Sequence, residues 1–259
     1  MAETSTAAPQ RRGRPRYEVT VVETEQLGPH LVRVIVEGES LAGFGNPELP
    51  GLAATDSYVK LLFGEVTRTY TVRRFDRASR RAAIDFVAHG DEGLAGPWAQ
   101  NAQPGDSLVI MGPGGAYSPD PTARWHLFVG DLSAVPAIAA ALEALPDDAQ
   151  GLALLEAASA EDVIALTAPP GVQVRWSVNP DLGDVEFLAR AVRAAQWPED
   201  KGTAQVFAHG ERESIKAIRR VLREFAVPRE RLSISGYWAR GRAEDAFQAE
   251  KRLPIGQID

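Results

Sequence analysis

Residues 68–73 read Arg-Thr-Tyr-Thr-Val-Arg. On a strand of period two, Arg68, Tyr70 and Val72 share one face and Thr69, Thr71 and Arg73 the other. A tyrosine offers a flat π surface, and threonine hydroxyls and backbone amides hydrogen-bond a ring edge. An arginine fork binds phosphate bidentately. Together these suit a planar heterocycle joined to phosphates, the build of a flavin, although a barrel strand with ordinary solvent-facing threonines and arginines reads the same way. Asp85-Phe86-Val87-Ala88-His89-Gly90 follows, and then Gly93-Leu94-Ala95-Gly96-Pro97-Trp98-Ala99. A strand, a glycine loop and a helical turn opening near Pro97 leave backbone N–H groups free where a pyrophosphate can dock. His89 is either a donor to that phosphate or to the flavin's sugar chain, or a structural histidine. The other histidines, His30, His126 and His209, are scattered with no metal-ligand spacing, and the absence of cysteine excludes disulfides, thiolate zinc sites, iron–sulfur clusters and a cysteine nucleophile.

The elements that must position these groups change character along the chain. From Tyr17 onward, short β-branched segments at 17–21, 31–36, 58–63, 69–75, 82–88 and 108–111 are separated by Gly, Pro, Asn and Asp. They predict a small closed antiparallel barrel of six strands. Residues 116–124 carry two prolines and little apolar content, which marks a linker. Beyond them strands at 127–129, 152–157, 172–178, 204–208 and 232–235 alternate with helices at 134–145, 185–195 and 211–225, which predicts a parallel sheet covered on both faces. In the last helix Ile215, Ile218, Val221, Leu222 and Phe225 form one apolar stripe, with Arg219, Arg220 and Arg223 outside it.

The 259 residues suit two domains: a basic arm over 1–16, a barrel over 17–115, the linker, an α/β unit over 125–235 and a C-terminal segment over 236–259. Arg11, Arg12, Arg14 and Arg16 in the arm precede no apolar core of a signal peptide. A net charge of −7 argues against nonspecific nucleic-acid binding, and no apolar run has the length of a membrane span. A cytoplasmic protein is the simplest expectation without cysteine. The second half lacks G-x-G-x-x-G after its first strand, and no Walker A occurs, so a tightly held dinucleotide is unexpected there. Weak, transient nicotinamide binding fits a hydride donor that must leave.

The two segments resemble the siderophore-interacting protein family, FAD-dependent ferric-siderophore reductases with an R-x-Y-T-x-R strand and a following H-G…G-P-A-x-x-W-A loop. The resemblance continues through Pro104-Gly105-Asp106, Gly112-Pro113-Gly114-Gly115, Gly130-Asp131, Ala134, Pro136, Gly210-Glu211…Ile218-Arg219 and Ser235-Gly236-Tyr237-Trp238-Ala239-Arg240-Gly241. It implies a ferredoxin-reductase-like fold, with a flavin-binding barrel followed by a nucleotide-binding α/β unit. It also implies FAD on the 68–73 strand, with Tyr70 against the ring and Arg68 near the phosphates. Asp85, Phe86, Val87 and His89, with Gly93, Ala95, Gly96, Trp98 and Ala99, would hold the ribityl and pyrophosphate. Lys60, Trp238 and Arg240 would form the siderophore pocket, and Gly130, Asp131, Ser133, Ala134 and Pro136 the NAD(P)H site.

The implied activity passes electrons from NAD(P)H, or from a ferredoxin, through FAD to Fe(III) in a chelate and releases Fe(II). No acid or base is assigned, and a monomer without membrane insertion is expected. Three departures stand out. Leu132 and Ser133 occupy the places of the family's usual Glu and Thr, Leu94 replaces a proline, and Ala239 removes a cation, which favours a less anionic ligand. Two other readings stay open: a flavin reductase of the same build with another acceptor, and a noncatalytic flavin or siderophore binder, for which the missing acid leaves room.

Overall fold

The computed structural model describes residues 14–44, 53–88 and 93–258. The expectations for His89 and for residues 1–13 of the basic arm therefore lie outside the described residues.

The first half contains β1 (Arg16–Gly28), β2 (Leu31–Glu37), α1 (Leu41–Phe44), β3 (Tyr58–Phe63), β4 (Val66–Asp76), β5 (Arg81–Val87), α2 (Ala95–Asn101) and β6 (Ser107–Gly114). Among the described residues its six strands close into a barrel in the order β1-β2-β5-β4-β3-β6. Alternation explains the closure. Val32, Val34 and Val36 on β2, Val59 and Leu61 on β3, and Ile84 and Phe86 on β5 all turn into one core with Tyr17 and Phe44. Closing removes the edges that an open antiparallel sheet would expose.

The second half contains β7 (Trp125–Gly130), α3 (Val135–Ala144), β8 (Gly151–Ala157), β9 (Val172–Val178), α4 (Phe187–Ala194), β10 (Ala204–Glu211), α5 (Arg212–Glu224), β11 (Leu232–Trp238) and α6 (Glu244–Glu250). The parallel sheet runs β11-β10-β7-β8-β9. Phe128, Ala153, Leu155 and Phe207 meet α3 on one face. Leu127, Val129, Leu154, Val206 and Ala208 meet α4 and α5 on the other. The apolar stripe of α5 is buried as its spacing requires, although Phe225 is only partly covered. The chain order reverses between β7 and β10, and that reversal opens a crevice beyond the carboxyl ends of the strands.

The two halves are joined by polar contacts. The His30 backbone and Nδ1 both meet the buried Asp162 carboxylate, at 3.2 and 2.9 Å, and Arg73 on β4 pairs with Glu143 on α3. No helix among the described residues is long and apolar enough to cross a membrane.

Candidate functional site

A cavity of about 570 Å3 lies between the barrel wall formed by β3 and β4, the carboxyl ends of β10 and β11, and α6. Its size is that of a small-molecule or cofactor site. Both faces of β4 reach it. Tyr70 comes from the inward face, packed on Phe86 with ring centroids 4.4 Å apart, and Thr69 and Thr71 come from the outward face. The antiparallel register sets Lys60 opposite Thr69 and Tyr58 opposite Thr71, so β3 adds an ammonium and a phenol to the same wall. Burial pushes the Tyr70 hydroxyl well above the usual phenol range, with Glu244 adding to the shift.

The facing wall consists of His209 at the end of β10, Ser235, Tyr237 and Trp238 on β11, and Ser133 in the turn after β7. His209 stacks on Phe207 at 4.0 Å, and its Nε2 meets the Ser233 hydroxyl at 3.0 Å. Burial, and then the Lys251 charge, lower its pKa to about 3, so the ring is neutral near pH 7. Its Nδ1 is buried without a hydrogen-bond partner.

Asp131 ties this wall together. Its carboxylate accepts from the Ser133 amide (2.9 Å) and hydroxyl, from the Glu211 amide (2.8 Å) and from Trp238 Nε1 (2.9 Å). The tips of β7, β10 and β11 thus share one acceptor. The glycines beside it are there for close approach: a Cβ on Gly210 would stand 2.7 Å from Asp131 Oδ2, and one on Gly130 2.7 Å from the His209 carbonyl. Glu211 caps α5 by accepting from the Glu213 and Ser214 amides, which aims that helix at the same crevice.

Of the residues singled out in the sequence, Lys60, Arg68, Thr69, Tyr70, Thr71, Asp85, Val87, Ser133 and Trp238 line this cavity. The Asp85 carboxylate is held bidentately by Arg33 at 2.7 and 2.9 Å, which commits it to the β2–β5 pair. The Arg68 guanidinium donates to the Thr67 carbonyl at 2.9 Å and stands 3.8 Å from Asp245. Arg73 is drawn away to Glu143. Val72, Phe86, Ala95 and Ala99 are buried in the barrel core, and Trp98 packs on Phe63 and Phe86. Gly93 adopts φ +88°, and Gly96 sits where a Cβ would come within 3.2 Å of the Ala88 Cα, so α2 lies tight over the end of β5. Ala134 and Pro136 are interior at the start of α3. Arg240 points away from the large cavity: it donates to the Leu182 carbonyl and lies over the Trp238 ring at 5.6 Å.

Several lining residues escape sequence reasoning. Arg14 donates to the Tyr58 hydroxyl at 2.8 Å at the cavity's rim, and Asp56 is spent on the Ala116 and Tyr117 amides. From α6 and the turn after it come Glu244, Gln248 and Lys251. Glu244 accepts from Thr69 Oγ1 at 3.1 Å and from Gln248 at 3.0 Å. Burial lowers the pKa of Lys251, whose ammonium lies 4.7 Å from the Phe247 ring. No local pattern marks them, because α6 is a short, mostly polar helix around one buried Phe247.

A second pocket of about 110 Å3 abuts the first and shares Val87, Ser133 and Trp238 with it. His30, which pairs with Asp162, and Asp131, Leu132, Glu156, Ala158 and Leu182 complete its walls. The donor set of the large cavity fits FAD. Aromatic faces flank it, threonine hydroxyls stand beside Tyr70 on the barrel side, and the cations Lys60, Arg68 and Lys251 can meet phosphate or anionic ligands.

Comparison with known proteins agrees with this geometry. Residues 64–117 match the model of the siderophore-interacting FAD-binding domain, and residues 123–241 match that of the siderophore-interacting protein. An uncharacterized protein of Mycobacterium tuberculosis strain H37Rv is 42% identical across 93% of this chain and 96% of its own length. The ferric vibriobactin reductase of Vibrio cholerae serotype O1 is 34% identical across 91% of this chain and 94% of its own. The crystal structure of a siderophore utilization protein from T. fusca superposes with a TM-score of 0.79 at 31% identity, covering 90% of this chain and 96% of that one. A ferredoxin reductase in carbazole 1,9a-dioxygenase shares the fold alone, with a TM-score of 0.69 at 19% identity, over 88% of this chain and 71% of that one. A closed barrel abutting a five-stranded parallel sheet, with both family models matched in order along it, makes this chain a member of the siderophore-interacting protein family.

Proposed function

We propose that this protein reduces Fe(III) inside a siderophore chelate with electrons from NAD(P)H, using bound FAD. The observation that carries the reading is the single cavity in which Tyr70, Thr69, Thr71 and Lys60 of the barrel face Ser133, His209, Ser235 and Trp238 at the ends of the parallel strands. When bound, FAD supplies the exchange between a two-electron hydride donor and a one-electron acceptor.

The chain's own residues bind and orient. Tyr70, braced on Phe86, offers a ring face, and the Thr71 hydroxyl stands beside it to meet a heterocycle edge. Arg68 and Lys60 supply positive charge for phosphate and for the anionic oxygen donors of a chelate. Arg14 and Lys251 add cations at the same mouth. The Ser133 hydroxyl donates to Asp131, which leaves its lone pairs to accept from a nicotinamide carboxamide. His209 is neutral and needs no counter-ion beside the donor. No proton transfer is required at the iron, and none is assigned. Fe(II) is held less tightly than Fe(III) by hard oxygen donors, so reduction loosens the chelate.

The test is anaerobic. Protein incubated with FAD and desalted should retain the flavin's absorption band, lose it on mixing with NADH or NADPH, and regain it on addition of a ferric siderophore while a ferrous-specific dye traps Fe(II). A colourless preparation overturns the reading. Retained colour without bleaching by either nucleotide leaves a binder or a ferredoxin-fed enzyme, and reduced ferredoxin in place of the nucleotide separates those two. Failure to reoxidise with ferric chelates, but success with free flavin or a redox protein, moves the acceptor. A monomer in the cytoplasm, where NAD(P)H is supplied, completes the proposal, and sedimentation reads the oligomeric part.

A further inference from the structure

The small pocket has a feature that electron transfer at the large cavity does not use. Glu156, the next-to-last residue of β8, lines it while only 7% exposed. One carboxylate oxygen accepts from Asn179 Nδ2 at 2.6 Å. Asn179 is itself 2% exposed and fixed by the Asp181 amide, which donates to its Oδ1 at 3.1 Å. The second Glu156 oxygen has no hydrogen-bond partner among the described residues and is not one of the buried unpartnered atoms, so it is open to the pocket. Burial of the residue raises its pKa.

Position says what the open oxygen can meet. In a doubly wound sheet a ligand lies outside the carboxyl ends of the strands at the point where the order reverses, here between β7 and β10. The large cavity covers the β10 and β11 side, and the small pocket covers the β7 and β8 side. They meet at Val87, Ser133 and Trp238. A dinucleotide with its nicotinamide in the large cavity therefore crosses the tip of β7 and brings its other half to Glu156. A carboxylate at the end of the second strand is suited to the two donors of a ribose diol.

Charge decides between the two forms of the donor. Asp131 and Asp184 add negative potential at Glu156, and the opposing charge is that of Arg240. Arg240 is engaged with the Leu182 carbonyl and the Trp238 face. A phosphate on the 2′-oxygen would enter beside the Glu156 carboxylate, with Asp131 and Asp184 adding to the repulsion and Arg240 offsetting part of it.

We propose that the small pocket is the adenosine-ribose subsite of the electron donor and that Glu156 reads the 2′,3′-diol, making NADH the preferred donor over NADPH. This rests on the reading that a nicotinamide dinucleotide supplies the electrons.

The test is equilibrium binding of NAD+ and NADP+ to the full-length FAD-loaded protein by calorimetry, which needs no turnover. NAD+ should bind about tenfold or more tighter than NADP+, the size expected of a like-charge exclusion. Glu156→Gln should bring the ratio close to one, weakening NAD+ and strengthening NADP+. Glu156→Asp, which keeps the charge, should preserve the sign of the preference. NADP+ binding as tightly as NAD+, or a ratio unchanged in Glu156→Gln, overturns the assignment while leaving the donor reading intact. Absence of binding by both nucleotides, with no bleaching by NADH or NADPH, defeats the donor reading and the subsite with it. Thermal melts of each variant separate a selectivity change from misfolding, because a merely structural Glu156–Asn179 contact would lower the melting temperature without moving the NAD+ to NADP+ ratio.

Discussion

Replacing Asp131 by alanine removes one acceptor from four donors at the tips of three strands. The Ser133 amide and hydroxyl sit at the pocket wall and can turn to water. The Glu211 amide, 2.8 Å from the lost carboxylate, belongs to a residue only 5% exposed and has no such recourse, whereas Trp238 stands at the pocket wall and can also turn to water. A buried donor left unsatisfied costs about 1–3 kcal/mol, so Asp131→Ala should lose roughly that much stability. Asp131→Asn should fall between, because an amide keeps one acceptor while turning its own N–H2 toward donors. Urea unfolding followed by tryptophan fluorescence measures this, with the midpoint falling and the slope unchanged. Trp238 and Ser133 also wall both pockets, so nucleotide affinity should drop in step. A loss below about 0.5 kcal/mol, the size of an ordinary surface substitution, would refute the shared-acceptor argument.

Other outcomes follow from the same geometry. Tyr70→Ala, which strips the ring from Phe86, should cost about 2–4 kcal/mol and release flavin on desalting, whereas Tyr70→Phe should keep both fold and flavin. Lys60→Ala should raise KM for an anionic ferric chelate about two- to fivefold, the worth of an exposed charge, with little change for a neutral chelate and a smaller effect in high salt. His209 has its pKa lowered to about 3, so the unfolded chain binds the extra proton first. Its contribution to stability is complete above about pH 6.5 and is lost as the pH falls toward 3, at no more than about 1.4 kcal/mol per pH unit. Denaturant midpoints at two acidic pH values should show a shallower acid loss in His209→Phe than in the parent. An equal slope in both would mean that the ring is not the group titrating.

Much of the architecture was legible because it rests on period. Valines alternating along 31–36 and Val59 with Leu61 can satisfy a barrel core in only one orientation, and the stripe from Ile215 to Leu222 can be buried only as a helix on a sheet. The 68–73 strand was likewise legible as a wall of hydroxyls, a ring and charge. The helix at Glu244–Glu250 was not, since seven mostly polar residues around one buried Phe247 carry no pattern of their own and become helical by docking.

Sequence by itself determined the two kinds of sheet, their strands and the residue types that the 68–73 strand brings to the cavity, because local periodicity and turn chemistry act over neighbouring positions. Tertiary structure alone decided which of those side chains are free to act. Arg73 and Asp85 are consumed by Glu143 and Arg33, partners 70 and 52 positions away. Asp131 is claimed by donors from strands 80 and 107 positions downstream, and Glu156 comes to face the crevice because strand order, which no local pattern encodes, sets β8 beside β7. Availability of a polar group depends on what long-range packing brings within hydrogen-bond reach, and that is a property of the closed fold.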